Sequence, residues 1–321
     1  MLKKIALSLA VTLVAGTAMS SQTQDAPPAW AYAMAAAGYK APVDDGTVRH
    51  VAGSTEGWTL TQLRDPFYAP DWHPEEHPAI PDVVKQGRRP SVYACGFCHR
   101  ADGPGGPENA SLAGLPEAYI VQQMSDFKSG ARTSSHPDRL RAKLMATIAK
   151  AMTEDEVTQA AAYFSSVKPR KLITVVEANE VPKSYVAAWV FSPVNGTDKE
   201  PIGERIIEMP KDLEQFESRD THSEFIAYVP MGSIAKGEAL ATTGGDGKTI
   251  PCGKCHGADL RGLGIVPGIA GRSPSYLMRQ LYDIKHGTRA GAGSGLMTGV
   301  VGKLSEDDLV ALVAFASSRN P

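Results

Sequence analysis

Two five-residue stretches, Cys95-Gly96-Phe97-Cys98-His99 and Cys252-Gly253-Lys254-Cys255-His256, use all four cysteines of the chain. Each reads C-x-x-C-H, the pattern in which two thiols form thioethers to a haem and the next residue offers its imidazole to the iron. A thioredoxin-like redox pair does not ask for a histidine directly behind it. A zinc ribbon sets its C-x-x-C pairs roughly 15–20 residues apart, far closer than Cys98 and Cys252 stand. The expected cofactors are therefore two covalently attached haem c groups, held by Cys95, Cys98 and His99 and by Cys252, Cys255 and His256.

A chain of 321 residues has room for about two domains of ~150 residues, one per pentad. Its 33 basic and 35 acidic residues form no polybasic field, which argues against a nucleic-acid partner. Residues 1–20 read as a secretory signal. Lys3 and Lys4 form the basic start, Ile5 to Val14 the apolar core, and Ala18-Met19-Ser20 a small-x-small cleavage site. Export agrees with covalent haem attachment, and the expected location is the periplasm. An uncleaved N-terminal anchor is the competing reading, but the apolar core is short for a span of about 20 residues. No other stretch reads as a transmembrane span, so none is expected in the mature chain.

Residues 21–80 are rich in proline and aromatics without a sustained period and read as an extended arm, with a short helix near Ala29 to Ala37. Within it, His73 and His77 stand four apart. The neighbouring Pro74 and Pro78 oppose the helix that i, i+4 metal ligation would need, so they read as surface loop histidines.

Laying Cys252 on Cys95 without gaps reveals an internal repeat. Leu112-Ala113-Gly114 falls on Ile269-Ala270-Gly271, Tyr119 on Tyr276, Gln123 on Gln280, Asp126 on Asp283, Lys128 on Lys285, Gly130 on Gly287 and Arg132 on Arg289. Each copy carries a helix here, Glu117 to Ser129 and Pro274 to His286, followed by a glycine suited to a left-handed cap. After five extra residues in the first copy, Thr153-Glu154-Asp155-Glu156 falls on Ser305-Glu306-Asp307-Asp308, two capping-box starts ahead of a closing helix. At the front, Val84-Lys85-Gln86-Gly87 resembles Ile234-Ala235-Lys236-Gly237, a helix whose glycine lets another helix cross closely. Between the copies, Leu172 to Val176, Tyr185 to Phe191, Arg205 to Met209 and Phe225 to Val229 are apolar runs, which predict a connector of two to four short strands.

The side of each iron opposite the histidine decides whether the haem carries electrons or does chemistry, and a sixth protein ligand closes it. Methionine raises the potential in cytochromes c. Met145 and Met297 occupy equivalent places, each the same distance ahead of its capping box, and are the expected sixth ligands. Met152 competes in the first copy, but with Val157 it forms a hydrophobic staple whose counterpart is Leu304 with Leu309, and Leu304 cannot bind iron. Met124 and Met278 read as core. His136 and His286 have no histidine at the equivalent position in the other copy.

Taken together, the pentads, the Leu-Ala-Gly and Ile-Ala-Gly turns, the Tyr-x-x-x-Gln helices with Lys-x-Gly-x-Arg, the paired methionines and the acid-capped last helices resemble dihaem class I cytochromes c of the c-four type. That resemblance implies a mainly α fold of two tandem class I cytochrome c domains, residues 81–168 and 231–321. They would be flanked by the extended N-terminal arm and joined by a connector, residues 169–230, containing short β-strands. It also implies a proline carbonyl that accepts from each haem histidine's Nδ1–H. Pro267 matches, whereas Ala110 stands in the first copy. The expected function is electron carriage, without enzyme activity, from a dehydrogenase or quinol-oxidising complex to an oxidase or reductase. A dihaem peroxidase needs a displaceable sixth ligand, and a thiosulfate dehydrogenase with a cysteine ligand would need a spare cysteine. A cytochrome subunit of a periplasmic dehydrogenase is the third reading.

Overall fold

The computed structural model describes residues 26–321, so the expected leader at residues 1–20 lies outside the described residues. The start of the arm forms turns instead of the helix expected over residues 29–37. The amide of Ala35 donates outward to Ala188 of the connector at 3.0 Å, a bond incompatible with an i to i−4 ladder at that residue. Further on come helix α1 (Leu60–Leu63), with a capping box of Thr59 and Gln62, and a 3₁₀ turn (Pro74–Glu76). Trp58 and Trp72 pack edge to face, 4.1 Å between centroids, in a small core with Leu63. The Trp72 Nε1–H donates to the Ser218 carbonyl at 2.8 Å, which ties the arm to the connector.

Around the first pentad are helices α2 (Asp82–Lys85), α3 (Cys95–His99), α4 (Glu117–Ser129), α5 (Leu140–Ala151) and α6 (Glu154–Ser166). Gly130 ends α4 at φ +83°, where a Cβ would be strained. Thr153 and Glu156 close the expected capping box on α6. Val84, Val92, Ile120, Met152 and Phe164 are buried together, so Met152 is a packing residue as the staple predicted.

The connector holds more strands than expected: β1 (Ile173–Glu177), β2 (Glu180–Pro182), β3 (Ser184–Ala187), β4 (Val190–Pro193), β5 (Lys199–Pro201) and β6 (Ile207–Pro210), then helix α7 (Leu213–Glu217) and β7 (Phe225–Val229). The run from Tyr185 to Phe191, expected as one strand, spans the β3–β4 hairpin, whose turn begins at Ala188 with φ +53°. Strand β7 runs parallel to β1 and antiparallel to β6, with Phe225, Ala227 and Val229 buried in alternation. Short pieces bounded by proline and glycine escaped the apolar-run criterion because β2 and β5 contain charged residues.

Helix α8 (Ser233–Thr243), α9 (Gly253–His256), a small hairpin of β8 (Gly262–Leu263) and β9 (Val266–Pro267), α10 (Pro274–Lys285), α11 (Ser294–Val301) and α12 (Glu306–Ser318) surround the second pentad. A Cβ on Gly237 would stand 2.0 Å from the Ala311 carbonyl oxygen, so only glycine allows α8 to lie on α12. Gly87, its expected counterpart, does something else. It turns the chain at φ +61° against the backbone of Val92 and Ala94, because α2 stops before reaching it. Two hydrophobic cores result, one under each pentad.

Candidate haem sites

Each pentad lies on a short helix that ends in the histidine. His99 and His256 are both 8 % exposed, and burial pushes their imidazoles below the usual range towards the neutral form. His99 Nδ1 lies 2.8 Å from the Ala110 carbonyl and His256 Nδ1 lies 2.7 Å from the Pro267 carbonyl. A carbonyl only accepts, so Nδ1 carries the proton in both rings and the Nε2 lone pair is left for a metal. Burial also pushes the Cys95 thiol up to about 12 and that of Cys252 up to about 11. These sulfurs are therefore not the depressed thiolates of a redox pair. No disulfide joins the cysteines of either pentad.

Beside the first pentad opens a cleft of about 130 Å³. Helix α3 supplies His99, the following loop Ala110 and Leu112, α4 Ile120 and Phe127, and α5 Met145. His99 and Met145 thus share one cleft. Met297, on α11, is half-buried and packs with Cys252 on the core under the second pentad.

Sequence reasoning missed the cations around the first pentad. Arg100 and Arg139 are buried there, Arg141 and Arg219 are half-buried, and the buried carboxylate of Glu108 stands 3.9 Å from Arg100. Burial, with Arg279 and Arg141 adding repulsion, lowers the Arg139 guanidinium to about 8. Burial beside Arg100 lowers Arg219 to about 9. Arg139 Nη1 and Arg141 Nε are buried with no hydrogen-bond partner, and both residues line the cleft. Orphaned guanidinium donors beside an apolar slot fit a flat apolar macrocycle bearing carboxylates, which is what haem is. None of these arginines recurs in the repeat, so no internal signal exposed them.

The seam between the two halves is built from residues that do recur. Arg132 donates to Tyr276 Oη at 3.0 Å and to Gln280 Oε1 at 2.8 Å. Arg289 reciprocates on Tyr119 Oη at 2.8 Å and Gln123 Oε1 at 3.0 Å. The backbones of residues 131–133 and 288–290 pair beside them. Tyr32, reaching in from the arm, donates to Asp283 Oδ1 at 2.6 Å, and Arg279 donates to the Ala31 carbonyl at 2.7 Å.

A cytochrome c family model matches residues 84–168. Over 84 residues the chain is 36 % identical to cytochrome c-554(548) of Halomonas halodenitrificans, covering 26 % of this chain and 98 % of that protein. The chain belongs to the cytochrome c family. This cytochrome is also 42 % identical over 94 residues to cytochrome c4 of Azotobacter vinelandii, across 27 % of its own length and 43 % of the relative's. A longer likeness, 27 % identity over 235 residues, covers 72 % of the chain and 80 % of the thiosulfate dehydrogenase electron acceptor of Thiomonas intermedia. The cytochrome carries covalently attached haem c, and its work is electron transfer. Among the described residues no helix is long and apolar enough to cross a membrane.

Proposed function

We propose that this protein is an exported carrier with two tandem class I cytochrome c domains, residues 81–168 and 231–321, taking electrons from a periplasmic dehydrogenase. Cys95 and Cys98 would attach one haem and Cys252 and Cys255 the other, with His99 and Met145 as axial ligands of the first and His256 and Met297 of the second. When bound, haem supplies the one-electron iron couple. The chain's own part is to fix each imidazole through Nδ1, to exclude water from the Nε2 face, and to neutralise buried carboxylates with Arg139 and Arg141. The observation that carries the reading is the matched pair of histidine-to-carbonyl bonds at Ala110 and Pro267, which prepares both sites in the same way.

The likeness to a thiosulfate dehydrogenase electron acceptor over most of the chain favours a thiosulfate-oxidising enzyme as donor. A tethered role as that enzyme's cytochrome subunit is the second reading, supported by the same likeness, and the arm and connector would then form the docking surface. Stopped-flow mixing of the oxidised protein with a thiosulfate dehydrogenase and thiosulfate tests the donor. Rapid reduction of both haems is expected, and no reduction faster than with thiosulfate alone would reject it. A peroxidase would need a vacated sixth position and polar groups to assist O–O cleavage. The segments around the two methionines, Ala142 to Ala149 and Ser294 to Val301, hold no acid or histidine.

A further inference from the structure

The arm histidine expected on the surface is instead buried. His73 is 3 % exposed, its Nε2 lies 3.0 Å from Asp220 Oδ1, and its ring stacks on that of His222 with 3.8 Å between centroids and 9° between planes. His222 Nε2 in turn lies 2.8 Å from Glu76 Oε2. His77 takes no part, being occupied by Asp71 at 3.0 Å and by Tyr163. The helical i, i+4 pairing excluded by Pro74 is replaced by a pairing across segments. His73 and Glu76 come from the arm, Asp220 and His222 from the turn between α7 and β7.

Two imidazoles and a carboxylate here have ligand atoms within 4.8 Å of one another. Tetrahedral zinc, with bonds of about 2.0–2.1 Å, needs its ligands about 3.3 Å apart, so closure asks for shifts on the order of an ångström. The near-parallel rings hold their in-plane lone pairs apart, so shared ligation also requires the His222 ring, on the open side, to turn. The carboxylates supply the remaining donors and the charge. His222 and Glu76 are 37 % and 35 % exposed at the side chain, which leaves a path in from solvent, while His73 and Asp220 form a buried floor. Arg170, paired with Glu76 and with Asp102, offsets much of the negative charge, so a hard ion such as calcium has little to hold it. Two nitrogen donors favour a borderline ion of the zinc class.

The geometry points to a zinc-class divalent metal site formed by His73, Asp220 and His222 with Glu76, which clamps the arm to the connector beside the first pentad. It is independent of the two irons and of the donor reading. The Trp72 bond to Ser218 already holds the two segments in register, so the ion adds a cross-link to a contact that exists without it.

Zinc titrated calorimetrically into the full chain, with both haems attached so that no cysteine is free, should bind one equivalent per chain. Zinc X-ray absorption should show nitrogen and oxygen neighbours at about 2.0–2.1 Å with imidazole outer-shell scattering. His222→Ala and Glu76→Gln sit on the open side and should keep the haem spectra and helix content. His222→Ala should weaken zinc binding by at least tenfold, as the loss of even a supporting partner does by about 10–100-fold. Equal affinity in His222→Ala and the wild type, or no saturable binding in a protein with intact haem spectra, would overturn the site and leave a hydrogen-bonded latch only.

Discussion

His99 Nδ1 stands 2.8 Å from the carbonyl of Ala110, the same bond that His256 makes with Pro267 at 2.7 Å. The acceptor is backbone, so exchanging proline for alanine preserves it while removing the ring that stiffens the turn. Instead, Gly105 packs closely on Ala110 and Asn109 donates to the Cys98 carbonyl at 2.9 Å, so the loop is held by contacts rather than by its own stiffness.

One consequence concerns the order in which the sites fail. Met145 is delivered by a longer segment than Met297, and the Ala110 turn behind His99 lacks the proline, so holding the first site in place orders more chain. On raising the pH of the oxidised protein, the methionine signal of the first haem should disappear before that of the second. NMR resolves the two, and simultaneous loss would show that the seam, through Ser135 and Thr133, stiffens the longer segment enough to offset its length.

The reciprocal arginines should couple the halves mechanically. Replacing Arg132 and Arg289 together by methionine strips Tyr119, Gln123, Tyr276 and Gln280 of their charged donors and should cost about 3 kcal/mol. Calorimetry should then separate one unfolding transition into two. A single transition shifted as a whole would mean that the backbone pairing of residues 131–133 with 288–290 suffices.

Tightness of the helix crossing is tested at Gly237. An added methyl would meet the Ala311 carbonyl oxygen, and α8 can escape only by moving off α12, at a cost of about 1–3 kcal/mol. Gly237→Ala should lower the unfolding free energy of the second half by that amount, read from its denaturant midpoint, whereas Gly130→Ala, with open space around it, should cost only its strained φ, about 1 kcal/mol. Equal effects would place the cost in backbone conformation rather than in the crossing.

Asp308 gives a pH dependence of known sign. Burial alone would raise its carboxyl, but hydrogen bonds from Lys248, Lys236 and Ser305 hold it well below the usual carboxylate range. Its contribution is therefore complete above the ordinary aspartate pKa and is lost as the pH falls towards the lowered folded value. Asp308→Asn should reduce stability at neutral pH by about 2 kcal/mol and flatten the acid limb of the stability profile. An unchanged acid limb, read from denaturant midpoints against pH, would assign that limb to other carboxylates.

Much of this architecture was legible in the sequence because it repeats. The Cys-x-x-Cys-His pairs, the capping boxes at Thr153 and Ser305 and the glycines after α4 and α10 each follow from a local rule that neighbouring residues satisfy. Tyr119, Gln123 and Arg132 were visible as recurring residues but were read as marks of a common fold. Their use is relational: each copy's arginine serves the other copy's tyrosine and glutamine, which no single-copy pattern reveals. Long-range partners account for what was missed. His73 reads as a loop residue until Asp220 and His222 are brought to it, and the buried arginines make sense only beside a cofactor that sequence periodicity does not register.

Proton NMR of the reduced protein tests the central claim most directly, because a methionine bound to low-spin ferrous haem shifts its methyl resonance far upfield. Two such resonances are predicted, one lost in Met145→Ala with the other unchanged, and the reverse in Met297→Ala. A single upfield methyl, or two that survive either substitution, would contradict paired methionine ligation and reopen the case for a haem with an accessible iron.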